Sequence, residues 1–147
     1  MNEPGRASRG TAPRVVRSLR TVGTGGLAEL AEGDDVELVG DPGSHSSRFW
    51  GTAGMVAALE SLGAQFFGRY GVPIGVNDMS LPLGGLFDIN GNWHTPHDEH
   101  RIGANADLRT RDSTPAKLRF IQDAWEELGG SVHDETRTDA PHYHLRF

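Results

Sequence analysis

Cysteine is absent from the 147 residues of the chain. A disulfide scaffold, a thiolate zinc site and a cysteine nucleophile are therefore all excluded. Long apolar runs are absent too: none approaches the roughly 18 residues of a membrane-spanning helix, so we expect no membrane span. Residues 1–20 also lack the apolar stretch of a signal peptide.

Basic charge is scarce as well, since 14 lysines and arginines face 20 acids and leave a net charge of −6. This balance does not suit a nucleic-acid binder, so we expect no nucleic-acid partner. With 36% hydrophobic and 23% charged residues, the composition is typical of a globular chain with one domain. We predict a single domain over residues 21–147, preceded at residues 1–20 by a flexible basic tail or linker.

Two helices are predicted from caps and from the spacing of apolar residues. The first covers 52–68, and the second begins after Thr114, with Pro115 in its first turn, and ends at Gly129. Five segments predict short strands: "DVELVG", "YGVPIGV", "GANADLRT", "SVHDETR" and "PHYHLRF". The pattern indicates an α+β domain with a small, mostly antiparallel sheet and flanking helices.

Residues 79–103 are dense in glycine, proline, asparagine and histidine. Such a stretch inside a domain is usually functional or disordered, and its apolar residues argue against disorder. It runs into the sequence "HDEHRIGANADLR", which sets two histidines and three acids around Gly103. Pro96 and Gly103 disfavour a continuous helix here, so the segment is either a polar surface loop or part of a metal site.

The chain has seven histidines, and taken singly each is best explained as a surface residue or a core residue with its hydrogen bonds satisfied. Their spacing suggests more. Residues two apart on a strand share a face, so His142 and His144 can address one point in space. Gly103 would let the chain turn so that His100 and Asp107 converge. These two residues and one histidine of "HYH" would form a His₂Asp zinc site with an open water position.

Alternation along the last strand also predicts what anchors it. If His142 and His144 face a metal, Arg146 shares their face, while Leu145 and Phe147 face the opposite way. We therefore expect Leu145 and Phe147 to hold the strand in the core.

Two common hydrolase motifs are absent: "HDEH" does not match H-E-x-x-H, and no G-x-S-x-G supports a serine triad.

The run from "NDMSLPLGG" through "HDEHRIGANAD" to "HYHLRF" resembles the penicillin-insensitive murein endopeptidases. More distantly it resembles the D-alanyl-D-alanine carboxypeptidases, the lysostaphin-type peptidases and the Hedgehog signalling domain, which share a zinc core. The matched motifs span residues 78–147, and the pattern H-x-x-H-x-x-G-x-x-x-D followed by H-x-H is fairly specific. Asp98 stands where the carboxypeptidases have a serine, which favours the endopeptidase.

The resemblance implies a role for each matched residue. His100, Asp107 and His144 look like the zinc ligands, and His142 resembles the histidine beside the metal water that takes part in catalysis. Asp139 stands where the endopeptidase has a further histidine and where the carboxypeptidases often have a glutamate base, so it is a candidate base. The substrate side would include Asp78, Ser80 and His97. Arg101 is a candidate for a separate reason: it adjoins His100 and would bind a substrate carboxylate unless it forms an ordinary salt bridge, which is the stronger alternative.

The resemblance thus implies a zinc-dependent peptidase that hydrolyses amide bonds in peptidoglycan peptides containing D-amino acids. An extracytoplasmic or cell-wall location goes with that substrate. The alternative is a zinc-stabilised module that binds cell wall or protein without catalysis, as the Hedgehog domain cautions. A third interpretation is a metal-free protein with scattered surface histidines.

Overall fold

The computed structural model describes residues 26–39, 47–82, 84 and 98–147, leaving aside the side chains of residues 98 and 99. The predicted basic tail at residues 1–20 lies outside the described residues. So do His97 and most of the irregular stretch 79–103.

The described part of the chain contains strands, two α-helices and a 3₁₀ helix. The elements are β1 Ala28–Glu29, β2 Val36–Leu38, β3 Trp50–Gly51, α1 Ala53–Tyr70, β4 Ile74–Asp78, a 3₁₀ helix Asp98–Ile102, β5 Asn105–Arg109, α2 Pro115–Glu127, β6 Ser131–Asp134 and β7 His142–Arg146.

Five of these strands form a mixed sheet in the order β2-β4-β5-β7-β6. Strands β2 and β4 are parallel, and the other pairs are antiparallel. Strands β1 and β3 form a separate antiparallel pair. The predicted α+β class with a mostly antiparallel sheet is confirmed.

Both helices begin at threonine caps. The hydroxyl of Thr52 accepts a hydrogen bond from the amide of Met55 at 3.1 Å, and Thr114 caps α2 through the amide of Lys117 at 3.3 Å. Helix α1 ends at Gly71, whose φ of 68° is left-handed and suits glycine. The two predicted helices are confirmed, although α1 continues to Tyr70. None of the described helices has the length and apolar character needed to span a membrane.

The register of the sheet separates an apolar face from a polar face. Directly opposed residues of an antiparallel pair share a face. Ala106 is opposite Leu145, and Leu108 is opposite Tyr143; all four side chains are buried. They join one apolar core with side chains of both helices: Met55, Leu59, Leu62, Phe66, Ile121 and Trp125. The helices therefore cover one side of the sheet, and the polar side chains of β5 and β7 lie on the other.

The last strand is anchored differently from the prediction. Leu145 is fully buried, as expected, but Phe147 is 44% exposed, so its predicted burial in the core is wrong. Phe147 follows the end of β7 and packs its ring on Trp125 at a centroid distance of 5.5 Å. Two hydrogen bonds to the backbone also anchor the end of the chain: the amide of Phe147 donates to the carbonyl of Ala104, and Trp125 Nε1 donates to the carbonyl of Arg146.

The two terminal apolar residues should therefore differ in their contribution to stability. Leu145→Ala should lower the free energy of unfolding by about 2–5 kcal/mol, because it leaves a cavity in the core. Phe147→Ala should cost less than the roughly 1.5–3 kcal/mol of a fully buried side chain, since much of the ring already contacts water. Urea unfolding of both variants measures the difference, and equal losses would contradict this account of the anchor.

Candidate metal centre

Three potential ligands come from two strands and a short helix. In the β5–β7 register Asp107 lies directly opposite His144, and Arg109 lies opposite His142. The polar face therefore carries one carboxylate with two histidines beside it, as the alternation of "HYH" predicts.

His100 reaches the same point from the 3₁₀ helix because the chain turns at Gly103. This glycine has a φ of 71°, and a side-chain carbon there would come within 2.7 Å of Leu27 and 3.2 Å of the Thr52 amide nitrogen. Glycine is thus required both by conformation and by space. The turn leads directly into β5 and places Nε2 of His100 3.4 Å from Oδ2 of Asp107. The predicted convergence of His100 and Asp107 is confirmed.

The three side chains form a compact group. Nδ1 of His144 lies 2.9 Å from Oδ1 of Asp107, and the rings of His100 and His144 meet edge to face at a centroid distance of 5.2 Å. One ligand atom from each residue lies within 4.8 Å of the other two, and all three residues are buried. The group His100–Asp107–His144 can hold a metal ion.

The charge of Asp107 suits that role. Burial by itself raises the pKa of this carboxyl, but the close imidazole of His100, the hydrogen bond with His144 and the nearby charge of His142 outweigh burial and hold the pKa well below its usual range. Asp107 is therefore ionised near neutral pH, which is the form that binds metal.

Asp78 lies beside the group because of a β-bulge. Strand β4 pairs Val76 with Leu108 but Asp78 with Asp107, so the register shifts between the two pairs. The extra residue turns Asp78 from the apolar face to the polar face, as bulges commonly do near functional sites. Burial raises the pKa of Asp78, and the charge of Asp107 adds to this, while His100 and Arg48 act in the opposite direction.

Arg48 is a buried cation that the sequence analysis missed. Its Nε donates to the carbonyl of Asn77 at 3.0 Å and lies 3.9 Å from Oδ1 of Asp78; its Nη2 donates to the carbonyl of Val39 at 3.1 Å. These contacts tie the segment before β3 to the bulged end of β4. Arg48 therefore helps to fix Asp78 beside the metal group.

His142 lies at the edge of the group, and its side chain is 14% exposed. Its Nδ1 is 2.6 Å from the carbonyl oxygen of Ala140, and its Nε2 is 3.5 Å from Oδ1 of Asp107. The same Nε2 lies only 2.9 Å from Oε2 of Glu135. The structure thus places His142 next to the ligands without making it one of the three.

Glu135 is the second residue that the sequence analysis missed. It follows β6 directly, and its amide donates to the carbonyl of His142 at 3.1 Å, which extends the β6–β7 ladder by one pair. Its other carboxylate oxygen lies 3.6 Å from Nε2 of His133. The alternation of "SVHDETR" places His133 and Glu135 on one face, but nothing in the sequence shows that this face meets His142.

The remaining predicted residues do not belong to the three-residue metal group, and one of them lies outside the described part of the chain. Asp139 is exposed, and within the described residues it makes no hydrogen bond or ion pair. Ser80 is fully buried and pairs through its backbone with Trp50. Arg101 is exposed next to His100, and His97 is not among the described residues.

No family model matches the chain, and no curated protein matches it. The metal that the group could bind is therefore inferred from its donor atoms. Two imidazoles and one ionised carboxylate are donors typical of divalent transition metals. The polar face of the sheet presents them together with a further histidine and two further carboxylates, those of Asp78 and Glu135.

Removal of the central carboxylate should abolish tight metal binding. The protein should hold about one Co²⁺ per chain after loading and desalting, and Asp107→Ala should weaken binding by at least about 100-fold. Asp123→Ala, on the exposed side of α2, is the matched control and should bind as the parent does. Cobalt absorption and metal analysis measure both, and similar metal content in the two variants would show that Asp107 is not a ligand.

Proposed function

We propose that this protein is a zinc-dependent peptidase that hydrolyses amide bonds in peptidoglycan peptides. The observation that carries the proposal is the buried His100–Asp107–His144 group with His142 at its edge. Three protein ligands of the histidine and carboxylate type are the donor set of catalytic zinc sites, in which a fourth position remains open.

The spacing of the donor atoms suits zinc. A tetrahedral ion with bonds of about 2.0–2.1 Å separates its ligand atoms by about 3.3–3.4 Å. Asp107 lies 3.4 Å from His100 through Oδ2 and 2.9 Å from His144 through Oδ1, and one donor atom from each of the three residues lies within 4.8 Å of the other two, so the side chains would move closer together around the ion. When bound, zinc lowers the pKa of a coordinated water and polarises a carbonyl group.

The chain's own residues supply the other parts of the reaction. Nε2 of His142 lies 3.5 Å from Oδ1 of Asp107 at the edge of the metal group, where this imidazole would serve as general acid or base for the leaving amine. Asp139 remains the carboxylate that the resemblance suggests as base. Arg101 is exposed beside a potential ligand and is a candidate for binding a substrate carboxylate.

The substrate follows from the resemblance to the murein endopeptidases. It implies a cell-wall peptide containing D-amino acids, an extracytoplasmic site of action, and a substrate side that includes Asp78, Ser80 and His97. Of these, Asp78 lies beside the metal group. Asp98, in place of the carboxypeptidases' serine, favours cleavage within a peptide over removal of its last residue.

A second candidate is a zinc-stabilised module that binds cell wall or protein without catalysis. One observation favours it: His100, Asp107 and His144 are only 1%, 6% and 5% exposed. Closed sites of this kind are typical of structural zinc, which contributes directly to folding. Both candidate functions include a bound zinc ion, but only the peptidase would hydrolyse a substrate.

Hydrolysis of a soluble cross-linked muropeptide separates them. The zinc-loaded protein should cleave the cross-link, a chelator should stop cleavage, and added zinc should restore it. His144→Ala should be inactive, whereas His133→Ala, which replaces the exposed histidine opposite His144 on β6, should retain activity. Tight zinc binding without cleavage would favour the binding module, and cleavage that survives both the chelator and His144→Ala would refute the zinc peptidase.

Zinc affinity should also fall in acid. Protons compete with zinc for the two ligand imidazoles, which must be neutral to bind the metal. The affinity should therefore fall as the pH is lowered, by at most about 100-fold per pH unit, the limit at which binding releases two protons. Competition with a chromophoric chelator between about pH 7.5 and pH 5.5 measures this dependence. An affinity independent of pH would argue against ligation by His100 and His144.

A further inference from the structure

Glu135 makes the closest side-chain contact of His142. Its Oε2 lies 2.9 Å from Nε2 of the imidazole, while Oδ1 of Asp107 lies 3.5 Å from the same nitrogen. Nε2 therefore lies between two carboxylates and nearer to Glu135. Since Asp107 belongs to the metal group, the carboxylate with which Nε2 pairs affects the metal site as well.

The imidazole of His142 is held at both of its ring nitrogens. Nδ1 lies 2.6 Å from the carbonyl oxygen of Ala140. The hydroxyl of Thr138 contacts that carbonyl oxygen at 3.1 Å and the carbonyl oxygen of Glu135 at 2.8 Å. The Thr138 hydroxyl thus connects two backbone carbonyls of the turn between β6 and β7. The imidazole ring of His142 lies between this turn and the Glu135 carboxylate.

We propose that Glu135 is a positioning residue for His142. Its carboxylate pairs with Nε2 and holds the imidazole at the edge of the metal group, so that both oxygens of Asp107 remain available to the metal. A carboxylate that orients a working histidine is a recurrent arrangement in metal sites and catalytic sites. The role in turnover rests on the proposed peptidase activity, whereas the orientation of His142 does not.

Glu135 fits the positioning role better than Asp139, the carboxylate that the resemblance suggests as a base. Glu135 belongs to the same sheet face as His142 and pairs with it through the backbone as well as the side chain. Asp139 is exposed and, in the part of the chain that the structure describes, makes no contact of this kind. Both carboxylates flank one turn, so their variants can be compared directly.

Glu135→Gln is the test, because glutamine keeps the size and an acceptor oxygen but removes the charge. On the cross-linked muropeptide, kcat should fall by about 10–100-fold, while KM stays within about twofold. Zinc content and the thermal midpoint should match those of the parent. Glu127→Gln, an exposed glutamate on α2, is the matched control and should leave kcat unchanged.

A second readout does not need catalysis. In ring-¹⁵N NMR spectra of the zinc-loaded protein, the Nε2 signal of His142, identified by its loss in His142→Gln, should shift in Glu135→Gln and stay in place in Glu127→Gln. If the parent cleaves no peptide and this shift still occurs, the peptidase proposal fails while the positioning role stands. An Nε2 signal that stays in place in Glu135→Gln, or one that shifts more in Asp139→Asn than in Glu135→Gln, would overturn the positioning role.

Discussion

The antiparallel pairing of β5 with β7 is the interaction on which the rest of the site depends. In this register Asp107 lies opposite His144, and Arg109 lies opposite His142. Opposed residues share a face, so the carboxylate and both imidazoles meet on one side, while Leu145 and its neighbours meet on the other. A shift of one residue would exchange the faces and bring the metal-binding side chains into the core.

The apolar face is what holds this register. Burial of a carboxylate such as Asp107 is unfavourable unless the carboxylate is paired. The polar face therefore does not hold the strands in register by itself. Leu108, Tyr143 and Leu145 are buried against both helices and lose that burial if the strands slip. Trp125 adds a direct tie, since its indole donates to the backbone of β7. The core, on the opposite face of the sheet, thus fixes the geometry of the metal group.

The site has a closed centre and a more open edge. The three potential ligands are almost fully buried, whereas His142 and Glu135 are 14% and 29% exposed. The residues that could hold a metal and those that the proposed peptidase would use to move a proton therefore occupy different positions on the same sheet face. A peptidase requires that a peptide reach the edge, and a binding module requires only the closed centre. For this reason the chemistry of His142 and Glu135 separates the two functions, while the metal itself is common to both.

Local sequence determined much of the architecture. The cap at Thr114, the turn at Gly103 and the shared face of "HYH" follow from the preferences of neighbouring residues, and each is as predicted. Only the tertiary structure decided that β6 pairs with β7 and brings Glu135 to His142, or that Phe147 stays half-exposed. Strand order and register depend on contacts between distant segments, whereas caps, turns and alternation involve residues close together in the chain.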